Sequence, residues 1–478
     1  MTRLFRLSLM ILLFTASAAL AQTQTPAQFP ATPAGTQFSG WLAAFNTHDR
    51  ATFLAFLQKN YPDRVAHIDD TMAFGNQTGG FDVIKVEKCE ELTCTVLLQE
   101  KNSDQFAEAT AEVDPAPPHV LKKIGLNAIP RPAGYAIPRL SQADAIAALR
   151  TRLEKASAAG TFSGAALVAK DGKPIFTAAY GMANREKQIP NTLDTKFRIG
   201  SMNKMFTATA IVQLAQAGKL KLDEPLITAL PDYPNKAWAS KVTIHQLLTH
   251  TGGAGDIFGP DFDQHRLELR TLDDYVKLYG KRDPTFEPGT QWDYANYGFL
   301  LLGVVVEKVS GEDYYTYVRE HIFKPAGMNS TDSLPEDQVV ANRSVGYMAD
   351  ESGTKTVPND PSLPYRGTSA GGGYSTVGDL LSFANALENH KLLDAEHTAL
   401  LTTGKVDTNR GPRYAYGFFE EKTEDGEVCF GHGGGAPGMN GELRVCPQSG
   451  YTVAILANQD PQAATNMARF VAARLPAK

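Results

Sequence analysis

Apolar residues recur at helical spacing in several stretches. Phe38, Trp41, Leu42 and Phe45 fall on one face of a helix over 38–46. Asp49 is placed to cap a second short helix over 51–57. Ser141 and Asp144 form a Ser-x-x-Asp capping box ahead of a helix striped by Ile146, Leu149, Leu153 and Ala156. A strong amphipathic run covers Met205 to Ala217, and Met202 just ahead of it with Met205, Phe206, Ile211, Val212, Leu214 and Ala215 are apolar. Strand-like stretches fill other regions. They occupy 81–86, 93–99, 106–113 and 120–126 early in the chain. Residues 164–170 and 173–180 are joined by Asp171-Gly172, the residue pair that a two-residue hairpin turn favours. Residues 221–375 read as helices and long loops. Strands return over 426–432, 440–446 and 451–457, and Pro461 opens a terminal helix.

This order predicts two units. Helices followed by consecutive strands make 36–135 a small α+β domain, which loosely resembles the cone-shaped, NTF2-like domains in layout. Pro115, Pro117 and Pro118 punctuate its end, and Pro130, Pro132 and Pro138 mark the boundary with the rest. The second unit, 141–478, has strands at both ends and a mostly helical insertion between them, so one sheet is expected to draw on both ends.

The first residues change the picture of where the chain works. Arg3 and Arg6 precede an apolar run from Leu7 to Phe14, and Ala19-Leu20-Ala21 fits a cleavage site. Residues 1–21 are expected to be a signal peptide and 22–35, rich in Thr, Pro, Gln and Ala, a linker. The run is short for a membrane span, and no later segment is long and apolar enough to cross. No cysteine follows the cleavage site, which argues against a lipid anchor. An exported chain, periplasmic or secreted, is expected. Export permits disulfides. Cys89, Cys94, Cys429 and Cys446 allow three pairings, of which Cys89–Cys94 and Cys429–Cys446 are the local choice. Free thiols and a zinc site are alternatives, the latter without histidine-rich spacing to support it. The net charge of −6 with no basic block argues against nucleic-acid binding.

The chemistry centres on Ser201-Met202-Asn203-Lys204, at the start of that strong amphipathic helix. Residues three apart on a helix stack on one face, so the Lys204 amine lies beside the Ser201 hydroxyl. First-turn N–H groups add a field that favours anions. Ser352-x-x-Lys355 fits the same spacing, but in a polar stretch without periodicity. Tyr294-Ala295-Asn296 enters a second apolar helical run. A phenol beside a lysine ammonium can ionise below its free value of about 10 and serve as general base. Asn296 could orient Lys204 and a substrate amide. The glycines of Phe430-Gly431-His432-Gly433-Gly434-Gly435 let backbone approach a ligand. The bland alternatives are a serine cap with a solvated lysine, a buried tyrosine, and a mobile glycine turn with an exposed histidine.

Taken in order, Ser-x-x-Lys, Tyr-x-Asn and His-x-Gly resemble the active-site signature of the serine β-lactamase and DD-peptidase superfamily. The nearest branch is class C-like: class C β-lactamases, esterases, DD-carboxypeptidases and D-aminopeptidases. The stretches Thr243 to Gly253 and Ala370 to Leu380 are similar to that group too. The resemblance covers about 141–478. It implies an antiparallel sheet flanked by helices, with Ser201 acylated, Lys204 and Tyr294 moving protons, and Asn296 supporting them. Ser201 and Gly435 would supply the oxyanion N–H groups, and His432-Gly433-Gly434 would line the substrate site. It implies no metal or cofactor. The substrate would be a small molecule or peptide: an ester, a D-amino-acid amide or peptide, or a β-lactam. His432 stands where β-lactamases carry lysine, and Gly433 where they carry threonine, which disfavours efficient β-lactam hydrolysis. A sensor that acylates without turnover is a further reading. Gly367-Thr368-Ser369-Ala370-Gly371 is a literal G-x-S-x-G, but prolines rather than a strand precede it. No oligomeric state follows from the sequence.

Overall fold

The computed structural model describes residues 28–350, 355–409 and 411–477. The signal segment and Ser352 lie outside the described residues. The chain forms two compact units. The first takes the described residues up to Ile68, with Gly79–Lys101 and Gln105–Pro130. Its first helix, Pro33–Phe45, starts earlier than the apolar pattern suggests. Thr32 caps it by accepting from the Gly35 N–H, and Pro33 fills the first helical turn. The last residues of the expected linker are therefore helical. Asp49 caps Arg50–Asn60 as expected. Phe38, Trp41, Phe45, Phe53 and Phe81 pack as one aromatic cluster, with Trp41 and Phe45 stacked at 5.1 Å. A four-stranded antiparallel meander completes the unit, in the order Phe81–Cys89, Thr93–Glu100, Phe106–Val113, Leu121–Ile129. Cys89 and Cys94 are disulfide-bonded across its first hairpin. Helix Ile68–Thr78 was not legible from the apolar spacing, since its sequence is mostly polar.

The second unit comprises Asp69–Thr78, Asn102–Asp104 and residues from Arg131 onward. It is built on an eight-stranded antiparallel sheet. Edge to edge the strands run Val406–Asp407, Arg413–Tyr414, Phe419–Lys422, Val428–Ala436, Met439–Cys446, Tyr451–Ala457, Gly164–Lys170, Lys173–Tyr180. The two ends of the unit do meet: Tyr451–Ala457 pairs along its length with Gly164–Lys170. These two strands are buried on both faces, which explains their unbroken apolar sequences. Ala166, Val168, Val453 and Ile455 face helices Gln142–Ala158 and Ala463–Ala472. Ala165, Leu167, Ala454 and Leu456 face the larger helical body. Asp171 and Gly172 both take positive φ, 50° and 72°, as a two-residue hairpin turn requires. Cys429 and Cys446 bridge neighbouring strands in a disulfide, which removes both as metal ligands.

Two helices from the helical body carry the site. Asn203–Gln216 is buried on nearly every side, and Asn296–Ser310 packs along it. The strand Val428–Ala436 lies against the turn that precedes the first of them. No helix among the described residues is long and apolar enough to cross a membrane.

Candidate active site

Ser201 sits in a single 3-10 turn, Gly200–Met202, immediately before the helix Asn203–Gln216. The turn depends on Gly200, whose φ of 49° favours glycine. Ser201 remains partly exposed while Lys204 is fully buried. The Lys204 Nζ lies 3.2 Å from Ser201 Oγ, 2.7 Å from Asn296 Oδ1 and 2.7 Å from the Ala370 carbonyl oxygen. Burial lowers its pKa from 10.5 to about 7, and the negative charge of Asp256 opposes that shift. The geometry suits the neutral amine. Its two N–H groups match the two fixed acceptors, Asn296 and Ala370. Its lone pair is then left for the Ser201 hydroxyl proton.

Tyr294 and Asn296 flank the start of their helix as expected. The Tyr294 ring lies under the Lys204 amine, 4.6 Å from its centroid. Its hydroxyl is buried and makes no hydrogen bond within 3.5 Å. Burial raises its pKa well above 10, and Ser201 offsets only part of the effect. The expected low-pKa phenol is thus corrected: with Lys204 neutral there is no cation to hold a tyrosinate, and desolvation dominates. Tyr294 is a protonated hydroxyl beside the nucleophile.

Asp256 completes this side. Asn296 Nδ2 donates to both Asp256 carboxylate oxygens, at 3.0 and 3.2 Å. That fixes the amide so that Oδ1 faces Lys204. The Ala295 N–H donates to His250 Nδ1 at 3.0 Å, and the His250 ring packs 4.3 Å from that of Tyr294. The stretch from His250 to Asp256 therefore braces both members of the Tyr-x-Asn pair. His250 is held neutral by burial, with Lys204 and His432 adding to the effect. It adopts φ of 60°, a conformation uncommon outside glycine. Sequence reasoning missed Asp256, because a single aspartate in a loop carries no spacing signal. His250 and Ala370 fell inside stretches singled out by resemblance, but without roles.

The glycine-rich stretch is not a mobile turn. Residues Val428–Ala436 form one continuous strand, paired with Met439–Cys446 so that His432 opposes Leu443 and Gly434 opposes Gly441. His432 is 3% exposed rather than exposed to solvent. Its Nδ1 lies 2.5 Å from the Gly433 carbonyl and its Nε2 3.2 Å from the Tyr414 hydroxyl, so Nδ1 carries the proton and Nε2 accepts. Burial, with the Lys204 charge behind it, lowers its pKa to about 3. It is a neutral imidazole at any pH where the protein would work. The strand meets the nucleophile turn without room for side chains: a Cβ on Gly200 would lie 2.9 Å from the Gly435 nitrogen. The Gly435 N–H is thereby adjacent to the Ser201 turn.

Ser369, the serine of the rival G-x-S-x-G, is fully buried. Its hydroxyl reaches only the Leu300 carbonyl, at 3.4 Å, while its own carbonyl accepts from Thr207. It helps hold the loop that presents the Ala370 carbonyl, and the rival reading is dropped.

A family model described as Beta-lactamase matches residues 149–476. The chain belongs to the beta-lactamase family. It is 29% identical over 313 residues to penicillin-binding protein 4 of Amycolatopsis lactamdurans, covering 62% of this chain and 80% of that protein. Among solved structures, a penicillin binding protein from Bacillus halodurans matches at 36% identity with a TM-score of 0.60, over 67% of this chain and 96% of that one. A D-stereospecific amidohydrolase from Streptomyces sp. matches at 29% identity with a TM-score of 0.59, over 69% and 98% respectively. The expected superfamily and its mixed helix and antiparallel-sheet fold are both shown.

Within this beta-lactamase fold, Gly434 is where the third motif is least able to change. A Cβ there would lie 1.9 Å from the Ile199 carbonyl oxygen, a backbone atom that cannot rotate away. Gly434→Ala should destabilise the unit by about 1–3 kcal/mol or more and push the strand off the Ser201 turn, with activity lost. Gly378→Ala is the control: it lies in helix Val377–Glu388 and its Cβ would meet nothing closer than 3.8 Å. Calorimetry of the two variants should show a lowered melting temperature for Gly434→Ala alone.

Proposed function

We propose that this chain is an exported serine hydrolase that cleaves ester or amide bonds through an acyl-enzyme on Ser201. The observation that carries the reading is the Lys204 amine, buried, near neutral pKa, and bonded to Ser201, Asn296 and Ala370 at once. Neutral Lys204 accepts the Ser201 proton as Oγ attacks the substrate carbonyl. The N–H groups of Ser201 and Gly435 stabilise the oxyanion; losing one such donor costs about 3 kcal/mol. Protonated Tyr294 hands its proton to the leaving group and is reprotonated from the Lys204 ammonium. Water then releases the acyl group by the reverse sequence.

A neutral, buried His432 offers no cation to a substrate carboxylate, and Gly433 offers no hydroxyl. This favours short esters and D-amino-acid amides or peptides over β-lactams. The similarity to chains named penicillin-binding proteins favours a second reading, in which β-lactams acylate Ser201 without turnover. The export reading is supported by the N-terminal signal pattern and by both disulfides.

A substrate panel separates these readings: nitrophenyl esters, a chromogenic cephalosporin, and D-alanyl amides and peptides. Esters or D-alanyl amides should turn over far faster than the cephalosporin. The double variant His432→Lys/Gly433→Thr should raise cephalosporin turnover relative to ester turnover. Threonine at 433 requires Glu442 to move, since a Cβ would lie 2.7 Å from its Oε2. A wild type that prefers the cephalosporin, or a double variant with an unchanged ratio, contradicts the reading of the third motif.

A further inference from the structure

The turn Thr368-Ser369-Ala370-Gly371 belongs to the G-x-S-x-G stretch that supplies no nucleophile, and it is gripped by the helix that carries Lys204. It closes on itself: the Thr368 N–H donates to the Gly371 carbonyl at 2.7 Å, and the Gly371 N–H to the Thr368 carbonyl at 3.2 Å. Asn203, one residue before Lys204, donates from Nδ2 to the Thr368 carbonyl at 3.1 Å and accepts at Oδ1 from the Gly373 N–H at 3.2 Å. Thr207, one helical turn after Asn203, donates to the Ser369 carbonyl at 2.7 Å. Its proton is committed there, because the Tyr314 hydroxyl lies 2.6 Å away and fills the accepting side. Asn203, Thr207 and Tyr314 are all buried.

The helix Asn296–Ser310 closes the other side. A Cβ on Gly303 would lie 2.4 Å from Ser369 Oγ, so the glycine makes the seat for the turn. A Cβ on Gly371 would lie 3.1 Å from the Gly200 carbonyl, so the turn also rests against the nucleophile. Held on three sides, it presents the Ala370 carbonyl to Lys204 Nζ at 2.7 Å. The consequence follows from the amine's geometry. A neutral amine turns about its Cε–Nζ bond, and fixed acceptors stop it. With Asn296 Oδ1 and the Ala370 oxygen both at 2.7 Å, two N–H groups are tied and the lone pair faces Ser201. Without the Ala370 oxygen the amine is free to donate an N–H to Ser201 Oγ, an orientation that cannot remove the serine proton.

We propose that Asn203 and Thr207 are positioning residues: they hold the turn so that the Ala370 carbonyl fixes the rotation of the Lys204 amine and keeps its lone pair on the Ser201 hydroxyl. This rests on the Ser201 acyl-enzyme reading. The side chains on either side of the base thus carry the loop that orients it. The Ala370 carbonyl also bonds an ammonium more strongly than an amine, so its loss should lower the pH at which Lys204 gives up its proton. Asp256, Tyr294, His250 and His432 also lie around Lys204, and the substitutions that follow leave them in place.

The test uses the full chain with a short-chain nitrophenyl ester, comparing wild type, Thr207→Val, Thr207→Ser and Tyr314→Phe. Thr207→Val keeps the shape and loses the hydroxyl. It should lower kcat by about 10-fold or more at nearly unchanged KM, and move the inflection of kcat/KM down by about half a pH unit or more. Thr207→Ser keeps the bond to Ser369 and should retain most of kcat with the wild-type inflection. Tyr314→Phe frees the Thr207 proton to turn to the Asn203 carbonyl, 3.3 Å away, and should give a smaller loss in the same direction. It retains the Thr207 hydroxyl and so reports on the clamp even if Thr207→Val does not fold. If Thr207→Val lowers the melting temperature alone, with kcat and inflection as in the wild type, the hydroxyl is only a satisfied core group and the proposal is overturned. Tyr314→Phe with wild-type kcat and inflection overturns it too, as does a Thr207→Ser that loses as much as Thr207→Val. Ser201→Ala run alongside separates the two ideas. Retained hydrolysis there overturns the acyl-enzyme reading and this proposal with it, whereas lost hydrolysis there beside unaffected Thr207 variants overturns the positioning role alone.

Discussion

Ser201→Ala should lower kcat/KM toward every substrate by about 10⁴-fold or more, the scale seen when a nucleophile is removed from a catalytic group that acts as a unit. The cause is specific. Alanine removes the one hydroxyl that, among the described residues, bonds the Lys204 amine, while the amine keeps its bonds to Asn296 and Ala370. The fold should not suffer, because Ser201 caps no helix: the turn before Asn203–Gln216 has no side-chain cap. The variant should therefore melt at the wild-type temperature while steady-state assays show the loss. Retained hydrolysis would move the nucleophile elsewhere.

Lys204→Arg should cost about 10²–10⁴-fold, the usual value of general acid–base catalysis. Arginine places a permanent charge where the wild type works with a neutral amine, and it cannot give up its proton at working pH. The pH profile carries the sharper information. With its pKa lowered to about 7, Lys204 is protonated and inactive as a base below that pH. Wild-type kcat/KM should rise through an inflection near pH 7 and level off above it. Were the Tyr294 phenolate the base, activity would instead climb above pH 10, because burial raises that hydroxyl. The same burial has a cost in stability. The folded chain releases the Lys204 proton near 7 and the unfolded chain near 10.5. The unfolded state binds more protons across that window, so this group's contribution to stability rises with pH from about 7 to 10.5.

What could be read from the chain divides along physical lines. Ser201, Lys204, Tyr294 and Asn296 stand in short motifs at helix starts, where spacing alone implies proximity, and the structure brings these four together. The sheet joining both ends of the second unit followed from apolar strands separated by a helical insertion. The environment was harder. A phenol beside a lysine suggests a lowered pKa, but burial of both groups reverses the sign for Tyr294, and burial is a property of the whole packed core. The glycine run around His432 resembles a turn in composition, yet it is a strand. Only a side-chain-free strand can lie this close to Ile199 and Gly200, and that demand comes from elements more than 230 residues away in sequence. Asp256 and the Ala370 carbonyl act through position alone and leave no pattern to find.

The central claim is a covalent bond to Ser201. The direct measurement is the intact mass of the protein after a brief reaction with a slowly released acyl ester and an acid quench, followed by peptide mapping. One acyl group on the peptide that contains Ser201, absent in Ser201→Ala, is the expected result. An acyl group on any other residue, such as Ser369, or substrate turnover with no adduct on Ser201 under conditions where deacylation is slow, would contradict it.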